Sequence, residues 1–205
     1  PSRLAEPVVC LRPPVRLLPP PTFALPLSPP PVPVFVLSTA FWNDWAQQLG
    51  TGDVPWNSEL RLVIMGGEKA EASHLNSFRA VPGGPQLLNT YGPTEATAYA
   101  TSFASDADTI PLGDIPIGRP IANTRIYLLD EDLELVPPGV AGEIVIGGAC
   151  VARGYLNRAE LTEQRFLVDC FEPSSGSRMY RTGDLGRWRA DGMLEYLGRN
   201  DNQVK

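Results

Sequence analysis

More than half of the 22 prolines in this 205-residue chain fall in its first 33 residues, in runs such as Pro13-Pro14, Pro19-Pro20-Pro21 and Pro29-Pro30-Pro31. Proline has no backbone N–H to donate and its ring clashes with a preceding helical turn. A stretch built this way makes neither a helix nor an interior strand. Polyproline II or disorder is therefore expected for residues 1–33. Such a segment could serve as a ligand for an aromatic-groove domain. The plainer expectation is a segment with no role of its own, arising from a wrong start or a shifted reading frame. Whatever folds must fold from about Val32 onward.

From there the pattern alternates. Val34-Phe35-Val36-Leu37 reads as a short buried strand. Ser38 or Thr39 can cap a helix running from Ala40 to Leu49, which Gly50 ends. Leu60 to Met65 is a second apolar run, closed by Gly66-Gly67, and a helix is expected over residues 71–80. Gln86-Leu87-Leu88-Asn89 is a third strand. Strands alternating with helices imply a parallel sheet, whose ligands bind outside the carboxyl ends of the strands. Gly66-Gly67 and the turn beginning at Thr90 both sit at such ends.

After about Ile110 the character changes. Short apolar runs at Ile115–Gly118, Arg125–Leu129, Gly142–Gly147, Leu185–Trp188 and Met193–Leu197 are separated by turn sequences, among them Val136-Pro137-Pro138-Gly139 and Ala190-Asp191-Gly192. The second of these is a hairpin signal. One helix over residues 160–166 interrupts the run. The fold class expected is α/β: a partial parallel sheet with flanking helices, then a small antiparallel β-barrel or distorted sheet. The expected division is residues 1–33, 34–112, 113–197 and 198–205.

Composition excludes several functions. A net charge of −6, with no basic patch interleaved with aromatics, argues against nucleic acid. Cys10, Cys150 and Cys170 form no CxxC pair and no metal-ligand spacing with the single histidine, His74. Incidental thiols in a reducing cytoplasm are the expectation. One histidine makes a Ser-His-Asp or Cys-His mechanism a poor reading. No run of about 18 apolar residues is present to span a membrane.

The chemistry concentrates in Asn89-Thr90-Tyr91-Gly92-Pro93-Thr94-Glu95. Tyr91 offers a π-face and Gly92-Pro93 a tight bend. Thr94 offers a hydroxyl, and Glu95 a hard oxygen ligand of the kind Mg²⁺ prefers. That set suits a nucleotide. It is also compatible with an ordinary turn in which Thr94 caps a helix. Three further stretches follow in order: Gly142–Gly148 running into Val151-Ala152-Arg153-Gly154-Tyr155-Leu156, then Tyr180-Arg181-Thr182-Gly183-Asp184-Leu185, then Gly198-Arg199-Asn200-Asp201 to Lys205.

In this order and spacing, the four stretches resemble the motifs of the adenylate-forming enzyme superfamily, and most closely the amino-acid adenylation domains of nonribosomal peptide synthetases. The resemblance covers roughly residues 34 to 205. It implies a reaction of ATP with a carboxylate, giving an acyl-adenylate and pyrophosphate, with ATP and Mg²⁺ required. The alternatives are a non-catalytic gene remnant and another adenylate-forming enzyme of the acyl-CoA ligase type. Gly66-Gly67-Glu68-Lys69 upstream favours the peptide-synthetase branch.

The resemblance also assigns residues. Gly67, Asn89, Tyr91 and Tyr196 fall at the adenine site, with Tyr91 stacking on the base. Asp184 matches the carboxylate on the ribose hydroxyls, Arg199 a cation near ribose and phosphate, Thr94 a phosphate contact and Glu95 the Mg²⁺ ligand. The substrate pocket maps to Val36, Ile64, Gly66, Thr90, Ala98 and Tyr99, with Gly66 leaving room for a sizeable side chain. None of the six is charged, so a charged substrate side chain is disfavoured. Asp201 matches the hinge to a small C-terminal domain, and Lys205 the lysine beyond it. Arg153 and Tyr155 read as structural. The implied partners are an amino acid and a carrier-protein domain with its phosphopantetheine arm. The lysine-bearing phosphate loop and the aspartate for the α-amino group are expected upstream, and the catalytic lysine beyond Lys205. No complete catalytic set is therefore expected within these residues.

Overall fold

The computed structural model describes residues 33–51, 60–80, 83–105, 114–172 and 176–200. The proline-rich segment up to residue 32 and the hinge positions Asp201 and Lys205 lie outside the described residues.

The first unit is a five-stranded sheet. β1 (Val34–Ser38), β2 (Leu62–Gly66), β3 (Gln86–Tyr91), β4 (Thr101–Ser105) and β5 (Arg119–Pro120) lie side by side in that order. β1, β2 and β3 are parallel, with Val36 opposite Ile64 and Ile64 opposite Leu88. β4 runs antiparallel to β3. Two crossover helices make the parallel pairing possible: α1 (Thr39–Thr51) and α2 (Ala72–Arg79).

Both helices cover one face of the sheet. Trp42, Ala46, Leu75 and Phe78 pack on Val63, Met65, Leu87 and Phe103 in a single core. The parity of a strand sends the alternate residues to the other face. There Val34 and Val36 are exposed, Val36 at 65%. Among the described residues, the parallel sheet is thus covered on one side only.

The second unit is an antiparallel sheet of β6 (Thr124–Leu129), β7 (Gly142–Gly148), β8 (Phe166–Val168), β9 (Arg178–Trp188) and β10 (Leu194–Arg199), with the path β10-β9-β7-β6 and β8 on β9. α3 (Ala159–Arg165) precedes β8. The expected hairpin at Ala190-Asp191-Gly192 joins β9 to β10, and Gly192 has φ 75°.

Of the two forms expected, barrel or distorted sheet, the described residues show the distorted sheet. Among the described residues no pairing joins β6 to β10, so the sheet stays open and bent, with register shifts on both sides of β9. β9 is one strand of 11 residues, Arg178–Trp188, where the sequence suggested a strand only over Leu185–Trp188. Ile115–Ile117 is an extended link and not a strand, tied to β10 through Ile117 N–H and the Leu194 carbonyl at 2.9 Å. The alternative of a helix capped by Thr94 gives way to a single 3-10 turn, Thr94–Ala96, that follows Pro93 without a side-chain cap.

The two sheets share a core. Tyr91, Ala96 and Ala100, from the end of β3 and its turn, pack with Ile117, Leu128, Ile144, Ile146 and Leu194. That seam is where the site lies.

Candidate nucleotide site

Strand β3 brings Asn89, Thr90 and Tyr91 to its carboxyl end, beside the carboxyl end of β2. A pocket opens there, lined by Gly67, Lys69, Asn89, Thr90, Tyr91 and Tyr196 among others, with about 400 Å³ of space that includes its open mouth. Its position is the one the alternating pattern predicts for a parallel sheet. Asn89 donates from Nδ2 to the Pro116 carbonyl at 2.9 Å, which draws Ile115 and Ile117 over the pocket as its roof. The sequence gives little sign of this roof, because Ile115-Pro116-Ile117 resembles a strand.

Beside the pocket lies a buried carboxylate. Asp184 is 2% exposed. The Tyr91 hydroxyl donates to its Oδ2 at 2.7 Å, and Arg199 Nη1 donates to Oδ1 at 3.1 Å. The Tyr196 hydroxyl lies 3.5 Å from Oδ1. Burial first, then the negative Asp184 beside it, pushes the Tyr91 phenol well above its ordinary range. Tyr91 is thus a neutral donor at physiological pH. The Tyr91 and Tyr196 rings stand 6.1 Å apart at 40° and form one side of the pocket.

Local backbone holds Asp184 in place. Its own N–H donates to Thr182 Oγ1 at 2.9 Å, and that hydroxyl donates to the Ile144 carbonyl at 2.6 Å. Gly183 has φ 72°, a conformation that favours glycine, and its N–H donates to Glu143 Oε1 at 3.1 Å. Arg181 grips Oε2 of the same Glu143 through Nε and Nη2. Sequence reasoning missed Glu143, which reads as one polar residue in an apolar strand. A glutamate that is 6% exposed in such a strand needs a cation, and Arg181 is the candidate.

Thr94 and Glu95 stand on the turn just after β3. Gly92 permits that turn: a Cβ there would come within 2.7 Å of Ala100 N and of the Ala98 carbonyl. Thr97 and Ala98 both take positive φ, 55° and 70°. Glu95 Oε1 accepts from the Tyr155 hydroxyl at 2.6 Å. No group of three potential His, Cys, Asp or Glu ligands occurs among the described residues. A Mg²⁺ ion here would be held by Glu95 with waters and phosphate oxygens. Glu95 fits that role, since Mg²⁺ is usually held through one or two carboxylates.

The six substrate positions do not gather into one cavity. Thr90 lines the pocket. Val36 and Ile64 are cross-strand partners on the uncovered face of the sheet. Ala98 and Tyr99 are exposed on the bend. The sequence reads Gly66 as room for a sizeable substrate side chain, but the position a Cβ would take there is occupied. A Cβ there would lie 2.5 Å from the Thr90 carbonyl oxygen and 2.7 Å from Thr90 Oγ1, which donates to the Met65 carbonyl. The space is taken by Thr90, and the glycine serves the close approach of two strands.

This combination defines a mixed α/β protein with an open pocket at the carboxyl ends of parallel strands, joined to an antiparallel sheet that supplies a buried aspartate. The AMP-binding enzyme family matches residues 8–156, and the chain belongs to that family. The match reaches into the proline-rich segment that composition had set apart. Malpibaldin synthetase from Mortierella alpina is 45% identical over 174 residues, 85% of this chain and 3% of that protein. Phosphinothricin tripeptide synthetase PhsB from Streptomyces viridochromogenes is 50% identical over 157 residues, 77% of this chain and 13% of that protein. Among solved structures, PA1221, an NRPS protein containing adenylation and PCP domains, matches at 34% identity with a TM-score of 0.74, over 85% of this chain and 34% of that one. The chain therefore spans a small part of the length of these synthetases.

Proposed function

We propose that these residues form the nucleotide-binding part of an amino-acid adenylation domain in a nonribosomal peptide synthetase. The parent reaction joins a carboxylate oxygen of the amino acid to the α-phosphorus of ATP. The bond from that phosphorus to the bridging oxygen breaks, and pyrophosphate leaves. In this reading Tyr91 stacks on adenine, while Gly67, Asn89 and Tyr196 enclose it. Asp184 receives the ribose hydroxyls, sharing or displacing the donors it holds, and Arg199 serves ribose and phosphate. Thr94 contacts phosphate. Glu95 holds Mg²⁺, which would supply charge neutralisation to the phosphates.

The observation that carries the proposal is Asp184, buried beside the pocket and held by Tyr91 and Arg199. A buried carboxylate with three positioned donors marks a prepared polar site next to an aromatic wall. The amino acid would reach the region of Val36, Ile64, Gly66, Thr90, Ala98 and Tyr99, none of which is charged, and this supports an uncharged substrate side chain. In the parent enzyme the acyl-adenylate passes to a carrier-protein domain with its phosphopantetheine arm. Asp201 and Lys205 take the hinge role, dividing residues 34–197 from a mobile C-terminal domain, and the enzyme works in the cytoplasm. No helix among the described residues is long and apolar enough to cross a membrane.

The test is titration calorimetry of AMP and of ATP with Mg²⁺ into the 205-residue chain, beside Asp184→Asn checked for an unchanged circular dichroism spectrum. Binding reduced at least tenfold in the variant is the expected result. Equal binding by both proteins contradicts the ribose role.

A further inference from the structure

Among the described residues, each buried carboxylate pairs with an arginine. Asp184 pairs with Arg199, Glu143 with Arg181 and Asp169 with Arg125. Glu95 departs from that rule. It is half-buried, yet among the described residues it forms no ion pair and takes a hydrogen bond from the neutral Tyr155 hydroxyl instead. A partly exposed carboxylate with no protein cation beside it can be reached by a cation that arrives with a ligand.

The Tyr155 side chain is held with unusual thoroughness. Its hydroxyl lies 3.3 Å from that of Tyr180, which is 5% exposed. Its backbone N–H donates to Thr162 Oγ1 at 3.0 Å, and its ring packs on Phe166 with centroids 5.3 Å apart. Gly154 just before it has φ 136°, and a Cβ there would strike Thr162 Cγ2. Arg178 fastens the same stretch from below, donating to the Arg153 carbonyl at 2.6 Å and the Ala152 carbonyl at 2.8 Å while standing over the Phe166 ring. Two bonds then stitch this stretch to the metal turn: Ala152 N–H to the Glu95 carbonyl at 2.8 Å, and Thr97 Oγ1 to the Cys150 carbonyl at 2.7 Å.

We propose that Tyr155 is a positioning residue for Glu95: its hydroxyl fixes one carboxylate oxygen, and the Arg178 clamp on residues 152–153 fixes Tyr155, so that Glu95 meets the cation–nucleotide ligand already oriented. This rests on the reading of Glu95 as the metal ligand. It gives the Ala-Arg-Gly-Tyr stretch a role beyond structure. A neutral donor suits the task, because a lysine or arginine in its place would compete with the cation for the carboxylate. Partners that orient a metal ligand commonly govern metal affinity by one to two orders of magnitude.

The experiment uses Mn²⁺ as the probe with ATP, titrated into the chain by calorimetry with and without the metal, alongside AMP without metal. The readout is the metal-dependent gain in ATP affinity. In Tyr155→Phe that gain should fall about tenfold, with AMP affinity within twofold of wild type. Arg178→Gln should lower the same gain, and it keeps the test available should Tyr155→Phe unfold. Glu95→Gln separates the two readings. If Glu95→Gln abolishes the gain while Tyr155→Phe and Arg178→Gln retain it, the positioning role is wrong and the metal role of Glu95 stands. If the gain survives in Glu95→Gln, or wild type shows none, both fall. Parallel loss of AMP and Mn²⁺-ATP binding in Tyr155→Phe would mean a purely structural tyrosine, which also overturns the proposal.

Discussion

Two residues show how the same chemistry reads differently in sequence and in space. Tyr91 is legible as an aromatic beside a Gly-Pro bend, but its bond to Asp184, 93 residues away, is not. Burial first, and then Asp184, sets its titration. An unfolded tyrosine ionises near pH 10, and burial plus Asp184 raise the folded value above that. The folded state then keeps a proton that the unfolded state loses. The stabilisation is fully present below pH 10 and declines as pH climbs toward the raised value, at about 1.4 kcal/mol per pH unit for one such group. Urea melts at pH 9, 10 and 11 should show a shallower alkaline decline for Tyr91→Phe than for wild type. An identical decline would place the titration elsewhere. Gly66 makes the opposite point. In the sequence it reads as empty space for a substrate, whereas Thr90 from the next strand fills that space. Gly66→Ala should therefore cost stability, about 1–3 kcal/mol as for other overpacked sites, measurable as a lower denaturation midpoint. An unchanged midpoint would restore the substrate-room reading.

Strands and helices with strong apolar periodicity were legible, and those shaped by tertiary contact were not. α1, β2 and α2 fall within one or two residues of expectation because caps, glycines and apolar spacing agree there. β4, Thr-Ser-Phe-Ala-Ser, carries one large apolar side chain and offers no such pattern, although Phe103 is buried against the helices. Only the Leu185–Trp188 end of β9 reads as a strand, because Gly183 and Gly186 break the apolar pattern, yet pairing with β7, β8 and β10 carries the strand back to Arg178. Thr182 lies at the centre of that strand and joins two buried bonds, one to the Ile144 carbonyl and one from the Asp184 N–H. Thr182→Val keeps the shape and removes both. Leaving buried polar groups unpaired costs about 1–3 kcal/mol, and Asp184 would lose its fixed backbone. Thermal melts should show the loss, and AMP affinity should fall with it. A variant as stable as wild type would mean that the strand pairing alone holds Asp184.

Taken as a molecule, the protein is two sheets meeting at the end of β3, with the pocket at the seam. The α/β class could be read from alternation alone, because crossover helices are what parallel strands require. Whether the second sheet closes could not, since closure depends on strand stagger that no short-range pattern encodes. The site follows the same division. Its β3 half was visible as a compact motif, whereas the contacts of Glu143, Arg178 and Tyr180 join residues far apart in the chain, and no local pattern pairs them. The central claim is that Tyr91, Asp184 and Tyr196, drawn from both sheets, form one adenine and ribose site. Photolabelling of the 205-residue chain with 8-azido-ATP, followed by peptide mapping, tests it most directly. The account predicts label on the peptides carrying Tyr91 and Tyr196, displaced by excess AMP. Label confined to other segments, or label that AMP does not displace, would contradict it.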